Sequence, residues 1–138
     1  MTLNEDLIRT RCQEIEDSLA RLDQIRTVAK EDFLTDRDLQ DIACYRMLVA
    51  IEAALGLCYH VAAKHLNKVP EEYGECFAIL AEAGIIPNDL SERLQRMARF
   101  RNLLVHMYWK VDLDALYKLI LDRLTDLRQF SQAIIALL

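Results

Sequence analysis

Turn-forming residues are scarce: the 138-residue chain holds three glycines and two prolines. So few Gly, Pro, Asn and Ser clusters cannot supply many tight turns, which argues against an all-β fold. Metal-binding cysteine spacing is also missing. Cys12, Cys44, Cys58 and Cys76 include no Cys-x-x-Cys pair, and the start of the chain, Met1 to Asp6, is acidic and lacks the apolar stretch of a signal peptide. The expectation is reduced thiols packed among helices in a cytoplasmic protein, with no metal. There is no surplus of positive charge either, since the net charge is −5, and this weighs against a general nucleic-acid binder with a basic surface. Nor is there an uninterrupted membrane-length run. Residues 42–63 are nearly all apolar, but Arg46 and Glu52 break the stretch and its longest charge-free part is residues 53–63. That is far short of a span of about 18–20 residues. A helix apolar on most sides is expected at the centre of a bundle, or in one that also serves a dimer interface.

What is present is apolar and helical in period. Hydrophobic residues make up 53% of the chain, enough for one core and one domain over residues 1–138. Five helices are expected. The first covers residues 4–29 with Leu7, Arg11, Ile15, Leu19, Leu22 and Ile25 at three- and four-residue spacing, opened by a Thr2/Glu5 capping box. The second covers residues 36–66 with Thr35 as N-cap, and Asn67-Lys68-Val69-Pro70 ends it. The third is short, residues 71–83, with Tyr73, Phe77 and Leu80 on one face and Gly84 after its end. The fourth starts near Asp89 with Leu90, Leu94, Met97, Leu104 and Phe100 as its stripe. The fifth covers residues 113–137, capped by Asp112, with Leu116, Leu119, Ile120, Leu124, Leu127, Ile134 and Leu138 apolar. Short connections between long helices imply an all-α, up-and-down antiparallel bundle of four long helices and one short one.

Charge is uneven along the chain. Residues 90–110 hold Arg93, Arg96, Arg99, Arg101 and Lys110 against one acid, Glu92. A local basic stretch on an acidic protein points to one anionic ligand site. Within it, Arg101-Asn102-Leu103-Leu104-Val105-His106-Met107-Tyr108 holds the groups a phosphodiester needs. Arg101 is a planar, permanently charged fork, Asn102 adds amide donors, His106 moves protons near neutral pH, and Tyr108 offers a hydroxyl and a ring. Arg93, Arg96 and Arg99 form a row that could track an RNA backbone or be a solvated helix face. On a straight helix at about 100° per residue, Arg101 and Tyr108 share a face while His106 lies about 140° from Arg101. Either the helix unwinds near His106, or a second copy completes the site across a two-fold axis. Other candidates are weaker. His60 and His65 accompany Cys58 but point apart, Tyr45, Arg46 or Glu52 could reach the site from the second helix, and Trp109 is expected to pack at a dimer or helix-five junction.

Arg101, His106 and Tyr108 resemble the R-x4-H-x-Y motif of HepT-like proteins in the HEPN superfamily. Phe33 to Asp41, Tyr73 to Phe77, and Phe100 to Trp109 are similar to that family's start of helix two, third helix and active segment, so the similarity spans nearly the whole chain. The resemblance implies a homodimeric helical bundle whose paired motifs line a cleft, and metal-independent RNA cleavage without a cofactor. It implies the toxin half of a type VII toxin–antitoxin pair, with a minimal nucleotidyltransferase antitoxin, MntA-like, that AMPylates the motif tyrosine. Carried over, Arg101 neutralises the scissile phosphate, His106 is the general acid or base, Asn102 supports the phosphate or the orientation of Arg101, and Tyr108 receives AMP. The alternatives are a HEPN module that binds nucleotides or proteins without catalysis, and a purely structural helical dimer.

Overall fold

The computed structural model describes residues 2–138, apart from the side chain of Tyr108. Its elements are α1 (Glu5–Arg26), α2 (Lys30–Thr35), α3 (Arg37–Lys64), α4 (Tyr73–Glu82), α5 (Asn88–His106), a 3-10 turn (Tyr108–Lys110), α6 (Leu113–Asp122) and α7 (Leu124–Ile135), with no strand among the described residues. The fold is all-α, as expected. The long pair α1 and α3 pack most extensively, α4 lies along α5, and α7 closes the bundle against α1, α3 and α5.

Local chemistry sets the helix ends. The α1 N-cap is Asn4, whose side chain accepts a hydrogen bond from the Leu7 N–H at 3.0 Å, ahead of Glu5 and Asp6 in the first turn. The Thr2/Glu5 pair therefore does not cap it. The Asn4 N–H in turn donates to Nε2 of His60 at 3.0 Å, which ties the start of α1 to α3 and gives His60 a structural partner. Burial pushes the His60 imidazole below its usual range, helped by Lys64. Thr35 is not the α3 cap, because its hydroxyl donates back to the Glu31 and Asp32 carbonyls and closes the short α2. Asp36 caps α3 instead, accepting from Leu39 at 3.2 Å. The buried ring of Phe33 anchors α2, 5.2 Å from the ring of Tyr117 on α6. Gly84 behaves as the sequence implies. Its φ of 77° completes a Schellman motif in which Gly84 N–H meets the Ala81 carbonyl and Ile85 N–H the Leu80 carbonyl, both at 3.0 Å.

Helix α3 is the central element. By length and composition it could cross a membrane, yet half of its most apolar window is buried inside the bundle. Its inward residues include Met47, Ile51, Leu55, Cys58 and Val61. All four cysteines are free. Cys58 and Cys76 are fully buried, and loss of solvent pushes the Cys58 thiol far above its ordinary range, so it stays protonated.

The expected fifth helix is two helices, broken at Arg123 (φ −123°, ψ 4°). Neither Gly nor Pro marks the break. Its consequence is visible at Asp126 in the first turn of α7. That carboxylate is 4% exposed and accepts from Nε of Arg93 at 3.0 Å, while Arg93 also reaches Asp89 at 3.4 Å. The second Asp126 oxygen is buried without a partner among the described residues. Arg93 is thus the counter-ion that makes burial of Asp126 tolerable. Arg93→Ala is expected to lower unfolding stability by about 3 kcal/mol, read from urea denaturation, and a loss below about 0.5 kcal/mol, the scale of ordinary surface changes, would contradict this account.

Candidate active site

The Arg101 to Tyr108 segment straddles the end of α5. The helix is regular through His106, and Met107 leaves it at φ −143°, ψ 45°, its N–H still bonded to the Leu103 carbonyl at 2.9 Å. The chain then tightens into the 3-10 turn, closed by Lys110 N–H to the Met107 carbonyl at 2.8 Å. Tyr108 therefore lies past the helix end, and its seven-residue spacing from Arg101 does not place the two on one helical face. Its side chain lies outside the described residues. Arg101 and His106 remain on one helix, five positions and about 140° apart, so the helix ends too late to swing them together.

Arg101 is held on several sides. Its Nε donates to Oε1 of Glu52 on α3, and its Nη1 to Oδ1 of Asn102 at 3.1 Å. Its guanidinium carbon sits 4.7 Å from the centroid of the Tyr73 ring at the start of α4. The Tyr73 ring meets Tyr59 of α3 edge-on at 6.0 Å. The arginine side chain is 13% exposed, so its charge is largely sheltered from water, and among the described residues its Nη2 has no hydrogen-bond partner. Asn102 orients Arg101 through its carbonyl oxygen, which leaves its amide N–H groups for a ligand.

His106 is exposed, and among the described residues its imidazole has no hydrogen-bond partner. Around it lie exposed apolar side chains: Val105 (40%), Met107 (44%) and Trp109 (67%). Trp109 lines a concavity of about 500 Å³ with Tyr45, Leu48, Leu104, Val111 and Leu113. A separate groove of about 1050 Å³ runs between α4 and α5, with Tyr73, Gln95, Arg99 and Asn102 in its walls. Arg96 and Arg99 are exposed, whereas Arg93 is turned to Asp126. Among the described residues no group of His, Cys, Asp and Glu is placed to hold a metal ion.

Glu52 and Tyr73 are the partners that sequence reading underrated. Glu52 stood out as a charge interrupting an apolar run and as one of three residues that could reach the site from the second helix, and Tyr73 as one member of an apolar face. Their link to Arg101 spans 49 residues in one case and two separate helices in the other, which no local spacing encodes.

Comparison with known proteins accords with this geometry. The family model for ribonuclease HepT-like proteins matches residues 15–134. The mRNA nuclease HepT of Shewanella oneidensis is 27% identical over 129 residues, covering 94% of this chain and 96% of that protein. Among solved structures, the tri-AMPylated Shewanella oneidensis HEPN toxin in complex with MNT antitoxin superposes with a TM-score of 0.88 at 26% identity, over 96% of this chain and 99% of that one. A toxin–antitoxin structure with AMP-PNP gives 0.85 at 25% identity, over 95% and 99% of the two chains. With its matched segment covering nearly the whole bundle and the R-x4-H-x-Y residues set at the end of α5, the chain belongs to the ribonuclease HepT-like family.

Proposed function

We propose that this protein is the metal-independent ribonuclease toxin of a toxin–antitoxin pair, acting in the cytoplasm as a single helical domain, with Arg101 and His106 as its catalytic residues. The observation that carries this reading is the contrast between the two. Arg101 is fixed and oriented by Glu52, Asn102 and the Tyr73 ring, while His106, at the end of the same helix, is exposed and uncommitted. An immobilised cation and an available proton carrier are what RNA cleavage by internal transfer needs. The 2′-oxygen of the substrate attacks the adjacent phosphorus as the bond from phosphorus to the 5′-oxygen breaks. His106 takes the 2′-hydroxyl proton or delivers one to the departing oxygen, and Arg101 stabilises the charge that grows on the phosphorane oxygens. Asn102 holds Arg101 and offers N–H donors, and Arg96 and Arg99 extend positive charge along the flanking backbone.

Helix spacing argues that one copy does not bring Arg101 and His106 together, so a symmetric homodimer supplies the complete cleft. The exposed apolar residues beside His106 support this, because an apolar patch of that kind marks a protein contact. The partner antitoxin is a minimal nucleotidyltransferase, MntA-like, a reading supported by the solved complexes with an MNT or MntA antitoxin that this chain resembles. AMP added to Tyr108 brings phosphate charge and bulk to the segment and competes with RNA for Arg101. Incubation with antitoxin and ATP is expected to add AMP to the peptide containing Tyr108 and to stop RNA cleavage, while Tyr108→Phe keeps cleaving under the same conditions. Mass spectrometry that finds the modification elsewhere would refute this role. The ribonuclease reading itself is tested by incubating the purified chain with RNA in a chelator. Products ending in a cyclic 2′,3′-phosphate and a 5′-hydroxyl are expected, and intact RNA would reject it.

A further inference from the structure

An arginine side chain has many rotamers to lose before its fork can meet a phosphate in one pose. In this fold Arg101 has already lost them. One edge is taken by Glu52 through Nε, another by Asn102 through Nη1, and one face by the Tyr73 ring. Asn102 sits beside Arg101 in the chain, so it moves with α5. Glu52 and Tyr73 come from α3 and α4, so among the described residues they are the contacts that fix the guanidinium relative to the rest of the bundle.

The Glu52 pair is asymmetric, with the arginine side chain 13% exposed and the glutamate 45% exposed. An ion pair with one partner so open to solvent contributes little to stability. A carboxylate at the mouth of a site for a polyanion also repels the ligand. Nor does Glu52 serve the nearby Arg11, which lines the same depression but is bound to both oxygens of Glu14 at 2.8 and 3.0 Å. What Glu52 does is hold Nε and thereby aim the remaining N–H groups.

We propose that Glu52 is a positioning residue for RNA cleavage, holding the Arg101 guanidinium across the Tyr73 ring in the pose that meets the phosphate. This rests on the ribonuclease reading above. The role has a signature that plain destabilisation lacks, because binding and turnover move in opposite directions. Removing the carboxylate removes a repulsive charge, so RNA binds as well or better. Removing the anchor lets the guanidinium wander, and misplacement on the order of 1 Å costs about 10²-fold in rate.

The test uses the full-length protein with a labelled RNA oligonucleotide for single-turnover cleavage at saturating enzyme, and its 2′-O-methyl counterpart, which cannot be cleaved, for affinity at low salt. Glu52→Ala is expected to cleave about 10²-fold more slowly and to bind the uncleavable strand at least as tightly as wild type. Glu52→Gln keeps an oxygen for Nε and loses the charge, so it binds at least as tightly and cleaves at a rate between the other two. It also gives a reading if the alanine variant fails to fold. Cleavage equal to or faster than wild type in either variant overturns the proposal, since Glu52 would then be idle or a restraint. A parallel loss of binding and cleavage, with an unchanged melting temperature, overturns it as well. Wild type and Arg101→Ala are run alongside. A wild type that cleaves nothing overturns the ribonuclease reading and this proposal together, whereas a normal wild type with a contrary Glu52 result overturns this proposal alone.

Discussion

Replacing His106 with alanine is expected to reduce RNA cleavage by about 10²–10⁴-fold, the range for loss of a general acid or base, and to abolish toxicity, with the fold unchanged. The structure gives reasons for both halves. The imidazole is exposed and has no hydrogen-bond partner among the described residues, so its removal strands no buried group. The end of α5 is closed by backbone, Met107 N–H to the Leu103 carbonyl, so the cap survives the substitution. Circular dichroism and gel filtration should match wild type. A folded His106→Ala protein with full activity would remove His106 from the chemistry.

Arg101 carries the second large effect. Arg101→Ala is expected to lower the single-turnover rate by about 10²–10³-fold, as loss of an oriented charge-stabilising donor does elsewhere. Arg101→Lys separates charge from geometry. Lysine keeps the positive charge but has no planar fork, so it cannot donate to Glu52 and Asn102 at once while lying on the Tyr73 ring. It is expected to remain within about tenfold of the alanine variant. The measurement is the cleavage rate at saturating enzyme for both variants, and a lysine variant at wild-type rate would show that charge alone suffices. The cost in stability should be small, because Glu52 is 45% exposed and regains water when released.

How far the sequence foretold this molecule depends on whether the signal was local. Three- and four-residue spacing placed Ile15, Leu19, Leu22 and Ile25 of α1 in the core, and all four are buried. It preferred Leu7 to Ile8, yet Ile8 is fully buried and Leu7 only partly, a rotation of one residue that periodicity cannot resolve. Gly84 and Asp112 were readable because a glycine or a side-chain cap acts within one turn; Asp112 accepts from Asp114 and Ala115 at 3.0 and 3.2 Å. The break at Arg123 was hidden because neither Gly nor Pro marks it, and the pair that accommodates Asp126 just beyond it reaches 33 residues back to Arg93. That same distance made Arg93, one of three arginines that could have tracked RNA or faced solvent, a structural counter-ion. In the site, the motif itself was legible from residue type and order, while the parts that orient it were not. Tyr73 sits on a face that reads as ordinary core and Glu52 was one of several candidates from the second helix, and their link to Arg101 emerges only where α3, α4 and α5 converge.

The account turns on one cleft built from Arg101 of one copy and His106 of another, and mixing inactive variants tests it most directly. Arg101→Ala and His106→Ala proteins are unfolded together, refolded as a mixture, and assayed for RNA cleavage in a chelator beside each variant alone. Each variant alone is expected to cleave at least about 10²-fold more slowly than wild type, and the mixture to regain much of the lost rate, because mixed dimers hold one intact arginine and one intact histidine across the axis. A mixture as inactive as its components, with mixed dimers verified by mass spectrometry, would contradict the shared cleft.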